Sequence, residues 1–192
     1  GPHEVVLSAD GRTAYVANYG AQTPGSSLSV VDLEAKKELR RVDLAPLLRP
    51  HGLVEIGGKI YFTSETNRLI GRYDPATNRV DWMMGTGQNA SHMIVATPDQ
   101  KRFYTANIGS NSVTAFEFQN VPPAGSRVTH IPVGKQPEAI DISKILPPIL
   151  EMQKNGVTLK KNQAAFKFSV EELNPAQPVT RVWIVQNDQF VW

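Results

Sequence analysis

Apolar positions in the first 143 residues fall in short alternating runs, punctuated by Gly, Pro, Asp and Asn. In the opening stretch these runs cover residues 4–8, 13–18, 27–33 and 38–44, separated by Asp10-Gly11, by Pro24-Gly25 and by residues 34–37. Runs rich in β-branched and aromatic residues and bounded by turn formers predict strands joined by hairpins. In Val31-Asp32-Leu33 and Tyr73-Asp74-Pro75 the aspartate closes a third strand, where its carboxylate is expected to accept bonds from turn amides. No segment before residue 143 supports a helix of useful length.

The pattern then recurs. Pro2-His3-Glu4-Val5-Val6-Leu7, Pro50-His51-Gly52-Leu53-Val54 and Ser91-His92-Met93-Ile94-Val95 each open a unit, with the histidines 48 and 41 residues apart. A fourth start, Pro137-Glu138-Ala139-Ile140-Asp141-Ile142-Ser143, follows with Glu138 in the histidine position. Four antiparallel strands every 40 to 50 residues are the signature of a β-propeller blade. A single such sheet leaves both faces bare, so blades stack around an axis and cover one another. The expected fold is therefore all-β, with blades over residues 2–49, 50–90 and 91–136 and a partial or irregular fourth from 137.

After Ser143 the repeat stops. Lys144-Ile145-Leu146-Pro147-Pro148 reads as an extended linker, and 157–159, 164–170 and 179–186 predict three more strands. This divides the chain into propeller repeats over 1–143 and a linker with a β-rich tail over 144–192. Three blades and one strand do not close a ring, which takes at least four blades. Three expectations follow: the tail completes an irregular blade, the chain is part of a larger propeller, or copies self-associate to close it.

At the level of whole motifs, residues 2–142 resemble the YVTN-type β-propeller repeat. Tyr15-Val16-Ala17-Asn18 and Tyr104-Thr105-Ala106-Asn107 stand at its name-giving strand, and Ser29-Val30-Val31-Asp32 matches its later Ser-Val-x-Asp element. The second blade departs from the pattern, with Tyr61-Phe62-Thr63-Ser64 and a first hairpin shortened at Gly57-Gly58. The resemblance implies a WD40-like ring in a cell-envelope, periplasmic or secreted protein, either a binding scaffold or an enzyme of lactonase or lyase type. Residues 147–192, through 163–170 and 178–185, more faintly resemble the opening strands of an immunoglobulin-like sandwich. Such a sandwich takes about 100 residues to complete.

Composition narrows the classes. Twenty Lys and Arg against 18 Asp and Glu leave a net charge of +2, without the basic stripe of a nucleic-acid binder. No apolar run approaches the roughly 20 residues of a transmembrane helix. The chain has no cysteine, so thiol nucleophiles, thiolate metal sites and disulfides are excluded. There is no Gly-Lys-Ser/Thr phosphate loop, no Gly-x-Ser-x-Gly elbow and no His-Glu-x-x-His.

The chemistry-bearing residues are those that the repeat gathers. A blade's first strand is innermost, so His3, His51 and His92 are expected at one rim of the central channel, joined by Glu138. Asn18, Glu65 and Asn107 end or follow the second strands near the same rim. Three imidazoles could ligate a divalent metal, serve as general bases, or contact a small ligand. The first expectation, ahead of these, is that each imidazole bonds the backbone of a neighbouring blade. His130, on an outer strand, reads as structural. Loops at 20–27 and 120–126 are candidates for protein or small-molecule recognition. With no nucleophile motif and an incomplete blade set, the sequence favours a binding or scaffold module, with a histidine-rim enzyme as the alternative.

Overall fold

Each repeat folds into an antiparallel sheet whose strands follow in chain order. The computed structural model describes residues 1–120, 122, 125–144, 180–186 and 189–191. The first sheet holds β1 (Pro2–Leu7), β2 (Thr13–Gly20), β3 (Pro24–Asp32) and β4 (Lys37–Asp43). The second holds β5 (Pro50–Ile56), β6 (Lys59–Ser64), β7 (Leu69–Asp74) and β8 (Arg79–Gly85). The third holds β9 (Ser91–Ala96), β10 (Arg102–Asn107), β11 (Ser112–Phe118) and β12 (Ser126–Pro132), with one 3-10 turn at Ile108–Ser110. These are three propeller blades. A fourth sheet of three strands joins β13 (Ala139–Lys144) to β14 (Thr180–Gln186) and β15 (Gln189–Val191).

Ile140 pairs with Ile184 across β13 and β14. The segments 157–159 and 164–170, expected as strands, lie outside the described residues.

The backbone repeats along with the sequence. Arg49, Ala90 and Gln136, each two residues before the repeated His51, His92 and Glu138, all adopt positive φ, between 50° and 54°. Arg49 and Ala90 then use their carbonyls to accept the amides of Glu65 and Ile108, tying the start of the first strand to the end of the second. Gly57 and Gly58, both at positive φ, close the short hairpin between β5 and β6. The expected aspartate caps are present: Ala35 donates to Asp32 Oδ1 at 2.8 Å, and Ala76 donates to Asp74 Oδ1 at 2.9 Å.

Two local expectations fail. Pro24-Gly25 is not a turn but the start of β3, where Pro24 pairs with Gly20. Residues 20–27 are therefore not a long loop, since the hairpin continues to Ala21-Gln22-Thr23 at its tip. The reason is steric: a Cβ on Gly25 would lie 1.9 Å from the Asn18 carbonyl oxygen, an approach only glycine permits.

Packing is layered, as stacked blades require. Tyr15, Leu28, Val30 and Val42 of the first sheet meet Ile60, Phe62 and Tyr73 of the second. Tyr61 and Ile70 on the other side of that sheet meet Ile94, Phe103, Phe116 and Phe118 of the third. Ala106 and Val113 meet Ile140 of the fourth. Period-two alternation supplies both faces of each inner blade with apolar residues. The first strands lie side by side, β1 against β5, β5 against β9 and β9 against β13, and this places the repeated positions next to one another.

Candidate functional site

Close approach of β5 and β9 builds the site. A Cβ on Gly52 would fall 2.6 Å from the His92 carbonyl oxygen, so the glycine after His51 lets the two strands touch. Thr63 fastens the contact: its hydroxyl accepts the Gly52 amide at 2.9 Å and donates to the His92 carbonyl at 2.6 Å. The imidazoles of the two strands are thereby brought into contact, tilted 38° to one another.

Ring centroids of His51 and His92 are 3.7 Å apart, and those of His51 and His3 are 3.8 Å apart. The Nε2 atoms of His51 and His3 sit 3.2 Å from each other. His51, the middle ring of the three, is only 1% exposed, whereas the His3 side chain at one end is 46% exposed.

Burial and mutual repulsion keep His51 and His92 neutral. Desolvation, then the neighbouring His92 and His3, push His51 down to about 3. Desolvation and His3 push His92 down to about 4. Neutral imidazoles retain lone pairs for ligation or hydrogen bonding.

Three groups complete the rim. Glu65, just after β6, brings a carboxylate whose Oε2 is buried without a partner. Tyr19 packs against His51 at 5.3 Å and His3 at 5.5 Å between ring centroids. Its phenol is held above its usual range, first by burial and then by the Glu65 carboxylate. The Arg49 guanidinium lies 4.6 Å from the Tyr19 ring centroid and donates to the Ala21 carbonyl. Nδ1 of His51 and Nδ1 of His92 are, like Glu65 Oε2, buried without a partner. One ligand atom from each of His51, Glu65 and His92 lies within 4.8 Å of the others.

The remaining expected site residues go elsewhere. Glu138 is exposed and belongs to neither cluster of potential ligands among the described residues. Asn18 donates to Ser27 and Ser29, at 3.1 and 2.9 Å. Asn107, fully buried, donates to Ser112 and Thr114 at 3.2 and 2.9 Å and accepts from Thr105. These asparagines cross-link their blade's second and third strands, because a strand-end amide finds hydroxyls on the partner strand. His130 lies on β12 within 3.2 Å of the Thr114 hydroxyl.

Glu4, with a carboxylate oxygen 3.7 Å from His3 Nδ1, joins Tyr19 and Arg49 as site members that the sequence did not single out. Glu4 follows a repeated histidine, Tyr19 is the first blade's counterpart of Glu65, and Arg49 is two residues before His51, so repeat position was the available signal.

No protein-family model matches the chain, and no curated protein sequence matches it. Solved structures do. A protein of unknown function from Desulfotomaculum acetoxidans superposes with a TM-score of 0.60 at 16% identity, over 74% of this chain and 46% of its own. A candidate 6-phosphogluconolactonase of Bacteroides uniformis gives 0.60 at 17% identity, over 74% and 44%. The periplasmic gluconolactonase of Pseudomonas aeruginosa gives 0.56 at 19% identity, over 71% and 41%. The chain thus spans less than half the length of the structures it matches, and at these identities the likeness shows the propeller fold alone.

Proposed function

We propose that the histidine rim is a small-molecule site for a sugar acid or its lactone, and that the reaction it supports is lactone ring opening. The observation that carries this reading is the set of buried, unpartnered polar atoms His51 Nδ1, His92 Nδ1 and Glu65 Oε2, with the Arg49 guanidinium over the Tyr19 ring that packs on His51. An attacking water needs an acceptor for its proton, and in this reading the Glu65 carboxylate is that acceptor. Arg49 supplies a cation for the carboxylate or phosphate of the substrate. The two lactonase-named structural relatives support this substrate class, and the periplasmic one supports an envelope location. The YVTN-type motifs belong to the same reading.

The test is ring opening of gluconolactone and its 6-phosphate ester, followed by acid release above the spontaneous rate. The expected result is turnover that Glu65→Gln abolishes and that Arg49→Gln weakens through KM. No rate above background and no saturable binding of gluconate or 6-phosphogluconate would overturn the proposal.

A binding or scaffold module is the second reading, supported by one observation. Val5 and Leu7 are 58% and 49% exposed on the face of β1 opposite Val6, whose side chain packs into the first core layer. Such an apolar face suits a protein partner or another blade. Saturable sugar-acid binding without turnover, together with a protein partner that no longer binds the Val5→Lys variant, would favour this reading over catalysis.

A further inference from the structure

A neutral imidazole carries one proton, and the histidine stack allows that proton to be placed. With the Nε2 atoms of His3 and His51 3.2 Å apart, one must donate and the other accept. The Glu4 carboxylate lies 3.7 Å from His3 Nδ1, which favours the proton on that nitrogen. Taking His3 Nε2 as the acceptor makes His51 Nε2–H the donor and leaves His51 Nδ1 a bare lone pair. That Nδ1 atom is buried and unpartnered, as are His92 Nδ1 and Glu65 Oε2.

Leaving a buried polar atom without a partner costs about 1–3 kcal/mol. A cation held between His51, Glu65 and His92 would satisfy such atoms together, and one ligand atom of each residue lies within 4.8 Å of the others.

We propose that His51, Glu65 and His92 form a zinc-type divalent metal site, with Glu4 and His3 as the outer pair that positions His51. Two imidazoles and one carboxylate are a ligand set that leaves a position open for water or substrate. Zinc–ligand bonds of about 2.0–2.2 Å put donor atoms roughly 3.3 Å apart in a tetrahedron. The ligand atoms lie within 4.8 Å of one another, so reaching that spacing takes side-chain rotation. A carboxylate that orients a ligating histidine from outside is a recurrent feature of such centres. The alternative cluster of His3, Glu4 and His51 shares a ligand with this one, but none of the unpartnered buried atoms apart from His51 Nδ1 lies in it.

The inference does not rest on the lactone reading, since metal uptake is read without substrate; with zinc bound, Glu65 would be a ligand instead of the proton acceptor of that reading. The metal-stripped full chain is titrated with zinc chloride by calorimetry, and cobalt(II) absorption reports the coordination geometry. The expected result is one zinc per chain, with affinity reduced at least about 100-fold by Glu65→Gln and about 10–100-fold by Glu4→Gln. Should a variant fail to fold, zinc added to the wild-type chain must shift the imidazole nitrogen resonances of His51 and His92. No saturable zinc uptake, unchanged affinity in Glu65→Gln, or unmoved His51 and His92 resonances would each overturn the proposal.

Discussion

His51 meets His3 across a blade boundary, Nε2 to Nε2 at 3.2 Å, although 48 residues separate them in the chain. The contact exists because β1 and β5 are equivalent first strands lying side by side, so equivalent positions become neighbours. The same relation continues from His51 to His92 and ends there, since the fourth unit carries Glu138.

The glycine beside His51 sets the spacing of the cluster. Gly52→Ala forces a methyl group against the backbone of β9, and overpacking of this kind typically costs about 1–3 kcal/mol. Urea unfolding is expected to show that loss, accompanied by weaker ligand or zinc binding as the rings separate. An alanine variant as stable as the parent would contradict the close approach of β5 and β9.

Asn107 should matter for stability rather than for binding. Asn107→Ala strips three buried hydroxyl groups of their amide partner, a loss of about 1–3 kcal/mol. Asn18→Ala, at a partly exposed position, should cost less. Both variants are expected to keep the rim's affinity for zinc or sugar acid, as measured by calorimetry.

Acid should weaken the fold in a window that belongs to the imidazoles. His51 and His92 titrate at about 3 and about 4 in the folded chain, against 6.5 for an ordinary histidine. The unfolded state therefore binds more protons below pH 6.5, and the stability held above that pH drains away as pH falls toward 4 and then 3. Asp10, Glu38, Asp74 and Asp99, elsewhere in the blades, have carboxyls held below the usual carboxylate range by their hydrogen-bond partners, so they add their losses only at the acid end. Thermal unfolding from pH 7 to 4.5 should show a falling Tm, with a smaller fall in His92→Gln.

Much of this arrangement could be read from the chain, since a period of 40 to 50 residues is imposed by blade geometry and histidine recurs at one phase of it. The turn chemistry of Asp32 and Asp74 was legible because a short carboxylate at a strand end has few other partners. Pro24-Gly25 misled because turn formers also occur where two backbones crowd, as Gly25 crowds Asn18. Asn18 and Asn107 carry the right phase for the rim, but phase does not say whether an amide points along the sheet or into the channel. The partnership of Glu65 with Tyr19 joins two different blades, and no local pattern encodes such a contact.

Imidazole proton and nitrogen NMR across a pH titration tests the gathered, neutral histidine stack most directly. Ring-proton contacts from His51 to both His3 and His92 are expected, with His51 and His92 still neutral at pH 5. Three histidines titrating independently near pH 6.5, with no ring-to-ring contacts, would contradict the stack.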